Sequence, residues 1–139
     1  MGTLIEDLLH SKGVRYFHGH HRDEFFFLVD LRHGRLHVHL DAGPDGAVTI
    51  GITPDRYYPT HLRGRLAELA ARSPAALGEV SVHDSCDPAL VGVATRREVR
   101  PAGPADLGPD LEAAVAAAIE FFTGIGGLAA GAPPLRDAG

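Results

Sequence analysis

Histidine is the side chain in this sequence with the most to offer chemically. Six of the nine histidines fall between His18 and His39. A neutral imidazole ligates zinc, nickel or copper, and it exchanges a proton in the physiological range. His18 and His20 are two residues apart, as are His37 and His39. On a β-strand such spacing places both side chains on one face, so each pair could chelate a metal. Asp30 and Asp41 could add a carboxylate ligand, or accept the second ring N–H of a ligating histidine. His18, His37 and His39 are therefore the candidate metal ligands.

Two other readings compete with this one. The same histidines could be solvated polar residues on the outer face of a sheet, because a zinc site takes three or four convergent ligands and the spacing does not bring the two pairs together. They could also act as a proton sensor, since several imidazoles charging together at pH ~6.5 would offset the net charge of −5.

Nucleophile chemistry finds less support. Cys86 is the single cysteine. His83 is near it, but Asp84 and Asp87 oppose a thiolate by like charge, so Cys86 reads as a turn thiol. Ser81, His83 and Ser85 do not form a Gly-x-Ser-x-Gly elbow. Gly124-Ile125-Gly126-Gly127 follows a helical pattern instead of opening one, which does not suit a dinucleotide loop. No catalytic or cofactor-binding residue is expected, and no cofactor.

The elements that would position these residues follow from periodicity. Thr3 and Glu6 have the form of a capping box, Leu4, Ile5, Leu8 and Leu9 repeat at helical spacing, and Gly13 supplies a stop, so a first helix is expected over residues 4–12. A weak strand over 14–19 and a polar turn at 20–23 precede two strong strands, 25–32 and 35–41. A type I′ turn at His33-Gly34 would pair Arg32 with Arg35, Asp30 with His37 and Leu28 with His39 on a largely polar face. Leu31, Val29 and Phe27 would meet Leu36, Val38 and Leu40 on a wholly apolar face. A one-residue slip would mix the two faces, so the hairpin is well specified, with helices expected over the apolar side.

Val48, Ile50 and Ile52 alternate on a further strand. Tyr57, Tyr58 and Pro59 form an aromatic turn, read either as the edge of the core or as a partner-binding rim. A second helix is expected over 60–72 with Leu62, Leu66, Leu69 and Ala70 as its stripe. Strands over 79–84 and 90–99 follow, then a Pro- and Gly-rich loop over 101–109. A third helix is expected from Pro109 until the glycines at 124, 126 and 127. Strands grouped between isolated helices give an α+β class with an antiparallel sheet, in the order α-β-β-β-(β)-α-β-β-α. Residues 1–127 are expected to form one domain, and 128–139 a disordered tail.

Composition narrows the partners. The chain has 139 residues, 45% of them hydrophobic and 22% charged, as in an ordinary globular domain. An acidic balance argues against nucleic acid, which calls for surplus Lys and Arg. Lys12 is the only lysine, and Arg96, Arg97 and Arg100 around Glu98 read as a solvated strand face. No apolar run reaches membrane-spanning length, the N-terminus lacks a signal-peptide pattern, and a lone cysteine suits a reducing compartment, so a cytoplasmic location is expected.

The N-terminal helix ending at a glycine, the hairpin Phe25-Phe26-Phe27-Leu28-Val29-Asp30 with Arg35-Leu36-His37-Val38-His39-Leu40, the helix from Leu62 to Arg72, and the strands Val80-Ser81-Val82 and Val91-Gly92-Val93-Ala94 before a long last helix resemble the YbjN-like family of bacterial proteins. That family's fold is similar to the chaperones of type III secretion. The resemblance covers residues 3–125. The histidine content and the short stretch from Ser73 to Gly78 depart from the family's usual look. It implies a homodimeric, noncatalytic protein-binding or regulatory module, and it transfers no functional residue. The alternative is a metal- or small-ligand-binding domain that uses the sheet histidines.

Overall fold

The fold is that of a computed structural model, which describes residues 2–129. Helix α1 (Gly2–Ser11) stops where Gly13 takes φ +68°. There the Gly13 N–H bonds His10 O and the Val14 N–H bonds Leu9 O, both at 3.1 Å, which is the paired closure of a Schellman motif. Helix α1 already begins at Gly2, so Thr3 lies inside the helix and not before it. Glu6 accepts the Tyr16 hydroxyl at 3.1 Å.

Four strands then run as an antiparallel meander: β1 (Tyr16–His18), β2 (Glu24–Leu31), β3 (Gly34–Ala42) and β4 (Val48–Pro54). The β2–β3 register differs from expectation by two residues. Asp30 pairs with Arg35, Leu28 with His37, Phe26 with His39, and Val29 with Leu36. The turn is therefore Arg32-His33, and neither residue takes a positive φ; Gly34 does, at +131°. A type I′ turn needs positive φ at both central positions, which costs a side chain such as His or Arg more than it costs glycine. A shift of two residues keeps every side chain on its face. Phe25, Phe27, Leu36, Val38 and Leu40 are buried as expected, and Asp30 and Arg35 are exposed.

A two-residue strand, β5 (Tyr58–Pro59), was not foreseen. It buries Tyr58 at the edge of the core and leaves Tyr57 half exposed. A 3-10 turn (Thr60–Leu62), which buries Leu62, leads into α2 (Arg63–Ala71), which buries Leu66 but leaves Leu69 37% exposed. A second 3-10 turn (Ala75–Leu77) precedes β6 (Glu79–Asp84) and β7 (Leu90–Val99).

Strand β7 is the hub of the sheet. Its Arg96 pairs with both Gly51 and Glu79, and its Val91 with both Tyr58 and Asp84. So β4 and then β5 lie along one side of β7, and β6 lies along the other. The seven strands are antiparallel throughout, and β1, β5 and β6 each pair on one side only.

Helix α3 runs from Pro104 to Ala129, longer at both ends than the periodicity indicates. It starts early because Pro104 suits a first helical position, the Asp106 carboxylate accepts the Ala102 N–H at 3.1 Å, and Leu107 is fully buried. Pro109 therefore lies inside the helix, where its missing N–H forgoes one intrahelical bond. At the other end the glycines remain helical because buried Ile125 anchors that turn. Leu128 and Ala129, expected in a tail, continue the helix; the rest of that segment lies outside the described residues.

All three helices cover the apolar side of the sheet. Ile5, Leu8 and Leu9 of α1, Leu66 of α2, and Leu107, Leu111, Ala118 and Phe122 of α3 join the strand residues in one buried cluster. Each large aliphatic side chain withdrawn from water in this way stabilises the fold by about 1.5–3 kcal/mol. The opposite side of the sheet carries no helix among the described residues.

Candidate functional site

The register assigns every strand residue to one of two faces, because directly paired residues point the same way. His18 pairs with buried Phe25, so it lies on the helix-covered face. Its ring is 5.2 Å from that of Phe25 and 5.8 Å from that of Tyr16, and its Nε2 is 3.7 Å from Glu6 on α1. His37 and His39 pair with Leu28 and Phe26 on the helix-free face. The sheet itself therefore stands between His18 and the other two candidates. Among the described residues no three His, Cys, Asp or Glu side chains gather to hold a metal ion. His37 and His39 do share a face, as their spacing requires.

The residue that organises this face is one the sequence reading passed over. Glu24 begins β2, and its side chain is only 13% exposed. Its Oε1 accepts the His20 N–H at 2.7 Å and the His21 N–H at 3.4 Å, and its Oε2 is 2.6 Å from His39 Nε2. The Glu24 carboxyl is held down at about 2, chiefly by the His39 hydrogen bond and further by the two backbone N–H groups, against the opposing effect of burial. An ionised carboxylate only accepts hydrogen bonds, so the Nε2 of His39 carries the proton.

This carboxylate ties the β1–β2 turn to β3. Gly19 leaves room for it, since a Cβ there would displace the Glu24 side chain from this position. One signal was available in the sequence: Glu24 has the polar-face parity of β2, and a glycine lies five residues before it.

Around His39 the helix-free face is apolar as well as polar. The Phe26 ring centroid is 4.9 Å from that of His39. Phe17, paired with Phe26, is 50% exposed, and Leu28 is 41% exposed. Phe17, Phe26, Leu28, His37 and His39 thus form one aromatic and aliphatic surface across β1–β3. Large apolar side chains held open to water at neighbouring positions mark a surface suited to a partner.

The other candidates are separated from this surface. Cys86 is exposed in the β6–β7 turn, where Ser85 Oγ and the Asp87 carboxylate hold backbone groups. Arg96 is exposed, but its neighbour Arg97 points under the helices, where it donates to Asp110 at 3.3 Å and Ala76 O at 3.2 Å. The arginines are therefore not one solvated face, because adjacent strand residues point opposite ways.

The class defined here is α+β, a seven-stranded antiparallel sheet with three helices on one face. No protein family, curated protein or solved structure matches the chain. No helix among the described residues is long and apolar enough to cross a membrane.

Proposed function

We propose that the chain is a noncatalytic protein-binding module, a chaperone-like or regulatory adaptor that acts as a homodimer in the bacterial cytoplasm. The resemblance to the YbjN-like family and its type III secretion chaperone-like fold supports this reading. The observation that carries it is the exposure of Phe17 and Leu28 beside Phe26 on the helix-free face of the sheet. The three helices cover the opposite face, so among the described residues these side chains have no further layer to pack against. Aromatic and aliphatic residues in such a setting supply the apolar centre of a protein interface, and the surrounding histidines supply a polar rim.

The test compares proteins crosslinked to the wild-type chain in native lysate with those crosslinked to a Phe17→Asp, Leu28→Asp double variant. Both side chains are about half exposed and lie outside the buried core, so the variant should keep the fold, which circular dichroism checks. A discrete partner captured by the wild type and lost with the variant is the expected result. Identical capture by both proteins would overturn the assignment of this face.

A further inference from the structure

Three strands of the sheet, β1, β5 and β6, pair on one side only, and their capacities for a further strand differ. Strand β1 offers three residues, β5 two, and β6 the six from Glu79 to Asp84. Natural sheet edges are usually blunted by lysine, proline or a bulge. Strand β6 contains neither residue, and its register with β7 runs unbroken from Glu79↔Arg96 to Asp84↔Val91. Among the described residues, its backbone hydrogen-bonds to nothing except β7. Its outward N–H and C=O groups are a row of free donors and acceptors.

The side chains of β6 favour one kind of occupant. A second copy added antiparallel about a two-fold axis must place one residue opposite itself. With Ser81 on the axis, Val80 faces the partner's Val82, and Glu79 faces the partner's His83. Each match occurs twice. With Val82 on the axis, Val80 would face a carboxylate, the partner's Asp84. With Val80 on the axis, Val82 would face the partner's Gly78. Only the Ser81 register matches apolar with apolar and carboxylate with imidazole.

The faces agree with this register. Val80 and Val82 pair with Thr95 and Val93 on the helix-covered side, where both are half-buried against the core. Glu79, Ser81 and His83 are exposed on the other side. Joining two copies would continue the apolar row through the seam and leave the polar pairs in water. Helix α2, packed on β6, adds the exposed Leu69.

We propose that β6 is the contact through which two copies of this chain join, in the register that sets Ser81 on the two-fold axis, so that both sheets become one continuous antiparallel sheet. This rests on the homodimer reading above and leaves the Phe17–Leu28 face of each copy free for a different protein. The seam uses backbone hydrogen bonds for attraction, and the alternate side chains set the register.

The experiment is sedimentation equilibrium of the full chain as wild type, Glu79→Arg, His83→Glu and the double variant. Both positions are exposed, and circular dichroism checks that each variant keeps the fold. The wild type should sediment at twice 14.7 kDa. His83→Glu sets two carboxylate pairs face to face and should weaken the dimer about tenfold; Glu79→Arg removes both acceptors and should weaken it about fivefold. The double variant restores opposite charges and should dimerise more tightly than either single variant. A dimer indifferent to both single changes, or a double variant weaker than each, would overturn the β6 seam while leaving the homodimer reading intact. A wild-type monomer across the concentration range would overturn both.

Discussion

Two glycines with similar φ but different surroundings provide a matched test of the fold. Gly78 ends the 3-10 turn before β6 with φ +74° and ψ −135°, a combination reached without strain essentially only by glycine. A Cβ there would lie 2.7 Å from Arg97 Cβ and 2.8 Å from Arg97 Cα, and would overlap the Arg96 carbonyl oxygen. Those atoms belong to the central strand β7 and cannot swing aside. Gly13 has φ +68°, and a Cβ there meets nothing within 4 Å.

Gly13→Ala should therefore cost only the left-handed backbone penalty, about 1–2 kcal/mol. Gly78→Ala adds a clash with the strand to its backbone strain, for a total of about 4 kcal/mol. At roughly 4 °C per kcal/mol for a chain of this size, the melting temperatures should fall by about 5 °C and about 15 °C. Urea unfolding followed by circular dichroism measures both, and an unchanged m-value confirms that stability alone has moved. If Gly78→Ala costs no more than Gly13→Ala, β6 does not enter the sheet beside Arg96 as described, and the edge that it presents is misplaced.

Three further outcomes follow from the geometry. Thr95 is buried; its hydroxyl accepts the Ile52 N–H at 3.2 Å and donates to Ile52 O at 3.3 Å, so Thr95→Val should cost about 1–3 kcal/mol in urea unfolding, and no loss would show that those backbone groups find other partners. Glu24 titrates at about 2 in the folded chain against its usual 4.5, so its contribution is fully present above pH ~4.5 and is lost as pH falls toward 2; Glu24→Gln should flatten the stability profile in that window, and an unaltered acid limb would show that the carboxylate is not held by His39. His18 is across the sheet from His37 and His39, so elemental analysis of tag-free protein after zinc loading should give the same retained metal with and without His18→Ala, whereas a loss confined to that variant would mean that the three rings do meet.

Much of the architecture was legible as alternation. Phe25 and Phe27 alternate together on β2, Leu36, Val38 and Leu40 alternate together on β3, and all five share the core. That parity survived an error in the turn, because a two-residue shift rotates nothing across the sheet. The turn itself was harder to read: Gly34 signals a tight connection, but whether it serves as a turn centre or follows the turn depends on φ values. At α3 the local signals misled. Pro109 and the three glycines are ordinary helix boundaries, and they were overridden by the burial of Leu107 before them and Ile125 among them.

Sequence by itself determined which side chains lie back to back on a strand, because that depends only on residue parity. It therefore placed His37 with His39, and the apolar hairpin residues with one another. Which strands become neighbours was left to tertiary structure, since pairing across β7 joins residues more than forty positions apart, as in Ile52 with Thr95. The pairing of β1 with β2 put His18 across the sheet from His37, that of β2 with β3 brought Glu24 to His39, and that of β7 with β4 and β6 left β6 at an edge. Distances of this kind arise when separate segments of the chain meet in space, and the spacing within any one segment does not encode them.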